Sequence, residues 1–209
     1  MIAILDYEAG NLGSVTNACR YLDVPARVVT PPEELAGCDA MILPGVGAFG
    51  DCLTKLRARG FEAPVQKWIA EGKPFLGICV GLQALYEGSD ESPGVPGLGI
   101  LPGRIRRFPE QPDLKVPQMG WNSVQQVRPD CPLFQGIPND AFFYFVHSYC
   151  AGAEGDAVAG VTEYGLPFGS VVWRDNVMAI QFHTEKSQKV GLLLLQNFAD
   201  WAYERTAAR

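Results

Sequence analysis

The sequence predicts an α/β fold: an open, mostly parallel central sheet flanked by helices, with additional antiparallel strands in the C-terminal half. Two observations carry this expectation. The first half alternates short apolar runs with helical patterns, whereas the second half is β-rich and closes with one long amphipathic segment. Residues 2–6 (IAILD), 26–30 (ARVVT), 40–44 (AMILP) and 75–79 (FLGIC) read as strands covered on both faces, because each is a largely apolar run bounded by Pro, Gly or Asp. Between them, 11–22, 49–59 and 61–72 read as helices, so the segments form βαβ units with right-handed crossovers. After Gly88 the texture changes, with Pro93, Gly94, Pro96, Gly97, Gly99, Pro102 and Gly103 crowded together. Strands are then expected at 104–108, 121–127, 141–146, 156–162, 168–174 and 177–182, the last two as a hairpin around Asp175-Asn176. A helix over 186–204 places Val190, Leu194, Phe198 and Trp201 on one face. No repeat or low-complexity linker interrupts the chain, which reads as a single domain over 1–209.

Composition removes several function classes. A chain of 209 residues, 47% hydrophobic and 19% charged, can bury a sizeable core and needs no disulfide staples. Seventeen basic against 23 acidic side chains give a net charge of −6, the wrong sign for a surface that holds a phosphate backbone, so nucleic acid is not an expected partner. No apolar run approaches the roughly eighteen residues of a membrane span, and the Met1-Ile2-Ala3 start lacks the basic residues of a secretory signal, so a soluble cytoplasmic protein is expected. The six cysteines show no Cys-x-x-Cys pair, which predicts free thiols and neither zinc nor another cofactor.

The most informative stretch is Gly77-Ile78-Cys79-Val80-Gly81-Leu82-Gln83, an apolar strand that runs directly into a helical pattern over 82–87. A cysteine between two glycines at such a junction sits on a tight turn that presents its sulfur, and the free N–H groups of a helix start favour a thiolate there. The other cysteines lack that setting and read as inert core thiols. A nucleophilic thiol needs an imidazole to carry a proton and a third group to fix the ring. Only His147 and His183 are available. His183 follows the strand MAIQF and has Glu185 two residues on, so an extended chain would put both side chains on one face. His147 follows an aromatic run without a nearby carboxylate and reads as a packed residue. A second loop, Pro44-Gly45-Val46-Gly47-Ala48-Phe49-Gly50, lacks the Lys-Ser or Lys-Thr of a nucleotide phosphate loop and reads as an oxyanion hole, beside the Val80 N–H that points toward an oxygen on the carbon under attack. One such donor contributes about 3 to 4 kcal/mol to acyl transfer. Glycines flanking the loop valine also leave its peptide free to flip.

Together, GICVGLQ, PGVGAFG and QFHTEKS resemble the class I (triad) glutamine amidotransferases, and Asp6-Tyr7-Glu8-Ala9-Gly10-Asn11, PQMGWN and FVHSY are similar to the glutaminase subunits of imidazole glycerol phosphate synthases. The resemblance implies hydrolysis of L-glutamine through a thioester at Cys79, with His183 as acid and base, Glu185 as its orienter, and Val46, Gly47 and Val80 where the family builds its oxyanion hole. It also implies glutamine binding by Gly45, Gln83, Glu91, Ser148 and Tyr149, and a heterodimer with a (β/α)₈-barrel cyclase subunit contacted through Asn11, Trp121 and Lys186. The ammonia would be used there to make imidazole glycerol phosphate and an aminoimidazole carboxamide ribotide. A glutaminase of another synthase, such as that for pyridoxal phosphate, would share the elbow without MGWN. A non-catalytic scaffold subunit would have no need of Cys79, His183 and Glu185 together. Three positions depart from the family pattern: Thr184 stands for a usual Pro, Glu8 for a common Gly and Gln118 for a common His.

Overall fold

The computed structural model describes residues 1–208; Arg209, the last residue of the expected domain, lies outside the described residues. In chain order the elements are β1 (Ile2–Leu5), α1 (Leu12–Tyr21), β2 (Ala26–Val29), β3 (Ala40–Gly45), α2 (Phe49–Ala58), α3 (Glu62–Ala70), β4 (Phe75–Cys79) and α4 (Val80–Gln83). There follow β5 (Gly88–Ser89), β6 (Arg104–Arg107), β7 (Gln118–Gln126), β8 (Ala141–His147), β9 (Tyr149–Gly152), β10 (Val158–Glu163), β11 (Pro167–Arg174), β12 (Val177–Ile180) and α5 (Gln188–Ala207).

The main sheet has the order β2-β1-β3-β4-β12-β11-β10-β7-β8. From β2 to β12 every neighbour is parallel, and from β12 to β8 every neighbour is antiparallel. The expected mixture is therefore present as two contiguous zones of one sheet. In β1, β3, β4 and β12 every residue is buried, which is why they read as unbroken apolar runs. β2 differs from the expectation of a strand covered on both faces. It is the sheet edge, with Arg27 and Val28 exposed, and Arg27 Nη2 donates to Ala36 O at 2.9 Å. A charged side chain on an edge strand blocks further strand pairing.

The β11–β12 hairpin joins the two zones. Its turn forms at Asp175-Asn176 as expected, with Asp175 at φ 54°, and Asn176 Nδ2 donates to Ile69 O at 3.0 Å and Lys73 O at 2.8 Å. Those bonds tie the hairpin to the C-terminal end of α3, so that β12 enters the sheet beside β4 in the register Phe75↔Val177 to Ile78↔Ile180. The closing helix starts later than expected, at Gln188, because Thr184–Lys186 first form a 3-10 turn. Leu194 and Phe198 of its predicted face are fully buried, while Val190 and Trp201 pack half-buried against the core. Two short strands were not expected: β9, which bridges β6 and β11, and β5, which pairs with β6. Among the described residues no helix is long and apolar enough to cross a membrane, and no cluster of His, Cys, Asp and Glu is arranged to hold a metal ion.

Candidate active site

Cys79 ends β4 with φ 57° and ψ −108°, a backbone conformation that a side-chain-bearing residue adopts only under constraint. The constraint comes from close packing around the turn. A Cβ on Gly77 would lie 2.6 Å from Gly81 O, and one on Gly81 would lie 2.0 Å from Leu43 O, so only glycine lets the chain double back here. The helix expected over 82–87 is a single turn, α4, from Val80 to Gln83, because Ala84 to Glu87 leave the helical path. Four of the remaining thiols are pushed up by burial, Cys19 and Cys52 to about 11 and Cys131 and Cys150 to about 12, consistent with inert core residues.

His183 reaches the same place from β12. Its N–H donates to Tyr144 O at 3.0 Å and its carbonyl accepts from Ser187 Oγ at 2.5 Å, while that Oγ also accepts from Tyr144 N at 2.9 Å. The backbone of the histidine is thus clamped between β8 and the start of α5. Glu185 Oε1 lies 2.9 Å from His183 Nδ1, with both side chains only 3% exposed. The route differs from the expected continuation of the strand: His183 is extended, at φ −101° and ψ 113°, and Glu185 returns to the ring through the 3-10 turn. His183 Nε2 is buried and forms no hydrogen bond. Burial works against a charged ring, but Cys79 and Glu185 together outweigh it and raise His183 from 6.5 to about 10.

The glycine-rich loop is fixed from a distance. Ala48, at the N-cap of α2, has no side-chain acceptor, and the open N–H groups are taken by Glu91 Oε2, 2.7 Å from Phe49 N, and Ser92 Oγ, 3.1 Å from Gly50 N. Gly45 pairs in register with Cys79, Gly47 sits at φ 100°, and Val46 O accepts from Cys52 Sγ at 3.4 Å. No backbone hydrogen bond to another described residue is made by the N–H groups of Val46 or Gly47.

These segments enclose a cavity of about 640 Å³. Its walls include Val46, Gly47, Cys79, Val80, Gln83, Glu91, Ser148, Tyr149 and His183, with Asn11 and Lys186 also on the lining. Three residues singled out from the sequence lie off it. Gly45 sits beneath the loop, where a Cβ would meet Val80 Cβ at 2.8 Å; Glu185 stands behind the His183 ring; and Trp121 is on the outer face of β7, 45% exposed. Asn11 also caps α1 by accepting from Ser14 N at 3.4 Å. His147 is a packed residue, as read: Nδ1 lies 2.9 Å from Tyr149 O and Nε2 2.9 Å from Gln118 Oε1, and burial lowers the ring to about 4. Gln118, one of the three departures from the family pattern, is buried and points inward to this ring. Sequence reasoning missed Gln181, completely buried with Nε2 3.7 Å from Cys79 Sγ. A lone amide in the apolar run MAIQF was the available signal.

A cysteine on a strand-to-helix turn, an imidazole held by a carboxylate and a glycine loop with open N–H groups, all at the C-terminal edge of a parallel sheet, make an arrangement able to support thiol-dependent acyl transfer. The chain matches the model of the family described as "Glutamine amidotransferase class-I" over residues 3–201, and it belongs to that family. The imidazole glycerol phosphate synthase subunit HisH of Desulfitobacterium hafniense is 49% identical over 98% of this chain and 96% of its own length. The subunit of the same name from Methanocaldococcus jannaschii is 47% identical over 96% of this chain and 99% of its own. A crystallised glutamine amidotransferase shares the fold with a TM-score of 0.75 at 22% identity, covering 97% of this chain and 98% of the other.

Proposed function

We propose that this chain is the glutaminase subunit of an imidazole glycerol phosphate synthase, releasing ammonia from L-glutamine for histidine biosynthesis. The observation that carries the reading is the meeting of Cys79 and His183 on one cavity, with Glu185 on the far ring nitrogen. Cys79 Sγ attacks the side-chain amide carbon, and the C–O electron pair moves onto oxygen, where the N–H groups of Val80 and of Val46 or Gly47 receive it. His183 gives the proton taken from sulfur to the departing nitrogen, the C–N bond breaks, and ammonia leaves a glutamyl thioester. Water, deprotonated by His183, then attacks the thioester; the C–S bond breaks, the proton returns to sulfur and glutamate leaves. Glu185 holds the ring through both steps.

The amino-acid end of glutamine lies toward Glu91, Ser148 and Tyr149. Glu91 has one oxygen committed to Phe49 N–H and offers the other to the α-ammonium group. Gln83 supports the same end: both protons of its Nε2 are used internally, toward Tyr149 O and Gln181 Oε1, so it contributes only an acceptor.

The partner face adjoins the cavity. Met119, Trp121 and Phe142 are 65%, 45% and 58% exposed. The register Met119↔Val146, Trp121↔Tyr144, Ser123↔Phe142 puts them on one face of β7 and β8, and Val146 of that face also lines the cavity. Lys186 Nζ lies over the Tyr144 ring at 5.9 Å. An apolar face of this kind is an interaction surface. A cyclase subunit of (β/α)₈ form docked there, with Asn11, Trp121 and Lys186 in the contact, receives ammonia before water protonates it. A heterodimer with this task works in the cytoplasm. Ammonia release from glutamine, measured with and without the cyclase subunit and its nucleotide ligand, tests the reading. Turnover is expected to rise with the partner and to vanish in Cys79→Ala; turnover that survives Cys79→Ala overturns it.

A further inference from the structure

Gln181 is completely buried at the end of an apolar strand, where an amide left unpaired would be costly. Both of its ends are engaged: Oε1 accepts from Gln83 Nε2 at 3.2 Å, and Nε2 lies 3.7 Å from Cys79 Sγ. The direction of this chain is set at its far end. Tyr149 O, 3.0 Å from Gln83 Nε2, is a backbone carbonyl and can only accept. Gln83 must therefore turn its NH₂ group to it, and its second N–H is left for Gln181. The oxygen of Gln181 must then face Gln83, and its NH₂ must face the sulfur. The same carbonyl is held by His147 Nδ1 at 2.9 Å, from a ring that stays neutral and so keeps one nitrogen as donor.

We propose that Gln181 is a positioning residue for the nucleophile: its N–H, aimed by Gln83 and the Tyr149 carbonyl, fixes the Cys79 sulfur and favours the thiolate over the thiol. A neutral thiol accepts hydrogen bonds weakly and a thiolate accepts them well, so the contact strengthens when the proton moves from Sγ to Nε2 of His183. That nitrogen has no other partner, so nothing competes for the proton. The inference rests on Cys79 being the nucleophile, which the Cys79→Ala turnover measurement tests separately.

Gln181→Met has nearly the same length and volume and no donor. The rate of iodoacetamide alkylation at Cys79, followed by peptide mass spectrometry from pH 5 to 9 without glutamine or partner, reads the effect directly. Loss of a hydrogen bond to a charged group predicts about tenfold slower alkylation at pH 7 and a profile displaced to higher pH. It also predicts kcat about tenfold lower with KM within about twofold. Gln83→Met leaves Gln181 in place without its orienting partner and is expected to displace the alkylation profile in the same direction by less. An alkylation profile that matches the wild type in a folded Gln181→Met protein overturns the proposal. Should that variant fail to fold, a wild-type profile in Gln83→Met overturns it equally.

Discussion

Thr184→Pro is expected to make the protein more stable without altering catalysis. Thr184 is completely buried and its Oγ1 has no hydrogen-bond partner. A buried hydroxyl in that state costs about 1 to 3 kcal/mol. The residue opens the 3-10 turn 184–186, a first-turn position at which proline's fixed φ fits and its missing N–H is no loss. Its own N–H makes no backbone hydrogen bond to another described residue. The preceding His183, at φ −101° and ψ 113°, already occupies the extended region that a following proline demands. Restriction of the unfolded chain adds about 0.4 to 1 kcal/mol. Taking the lower part of each range gives a gain of about 1.5 kcal/mol, or a rise in Tm of about 3 to 6 °C for a chain of this size. Thr184→Val removes the hydroxyl while keeping the branched shape, so it separates the two contributions and is expected to recover about 1 kcal/mol alone. Calorimetric unfolding of the three proteins at one pH, with ammonia release measured in parallel, checks this. A lower Tm for both variants would mean that the hydroxyl is satisfied and the reasoning wrong.

Three further outcomes are expected. Glu185→Gln removes the charge that helps hold His183 protonated, and kcat should fall at least about a hundredfold with KM little changed when ammonia release is measured with the partner present. Glu8→Gly should raise Tm by about 2 °C: Glu8 sits at φ 65°, where glycine avoids a cost of about 1 to 2 kcal/mol, and the lost contact with Arg59 is exposed and worth less. The two histidines should give a stability maximum near neutral pH in urea titrations. His183, raised to about 10, stabilises fully below 6.5 and loses that contribution as pH climbs toward about 10. His147, lowered to about 4, stabilises above 6.5 and loses that contribution as pH falls toward about 4, on the order of 3 kcal/mol. His147→Gln should flatten the acid limb; an unchanged acid limb would mean that His147 is not buried neutral.

The parts of the fold legible in the sequence were those fixed by burial of whole segments. β1, β3, β4 and β12 are apolar throughout because both faces are covered, and that pattern survives without knowledge of their neighbours. β5 and β9 were not legible, since a two-residue and a four-residue strand owe their existence to the partners that β6 and β11 offer from elsewhere in the chain. In the site, Cys79 was legible from its glycines, because steric need leaves a local mark. The 3-10 turn under Glu185 left none: His-Thr-Glu reads equally well as a strand end, and the clamp by Tyr144 and Ser187 decides it. The departures from the family pattern become physical statements in the same way. The glycine common at position 8 suits a left-handed residue, and the proline usual at 184 suits the first residue of a turn with an idle N–H.

Why two segments a hundred residues apart must meet at this spot follows from strand register. β4 and β12 are parallel neighbours paired to Ile78↔Ile180, so Cys79 and Gln181 are the next residues out on adjacent strands, leaving the sheet at the same level. Side chains there point into the crevice beyond the strand ends, where no further strand covers them. His183 is two residues further on and lines the same cavity as Cys79, and the 3-10 turn that follows it brings Glu185 back to the ring. A one-residue slip in this register would put Phe182 beside Cys79 and turn Gln181 and His183 to the other face of the sheet. The burial of every residue of β12 and the Asn176 bonds to Ile69 O and Lys73 O, at its other end, oppose that slip. The hairpin turn is therefore one anchor of the site's geometry, at the opposite end of the strand from Gln181 and His183. Asn176→Ala should lower kcat and stability together, although it touches neither cavity nor substrate.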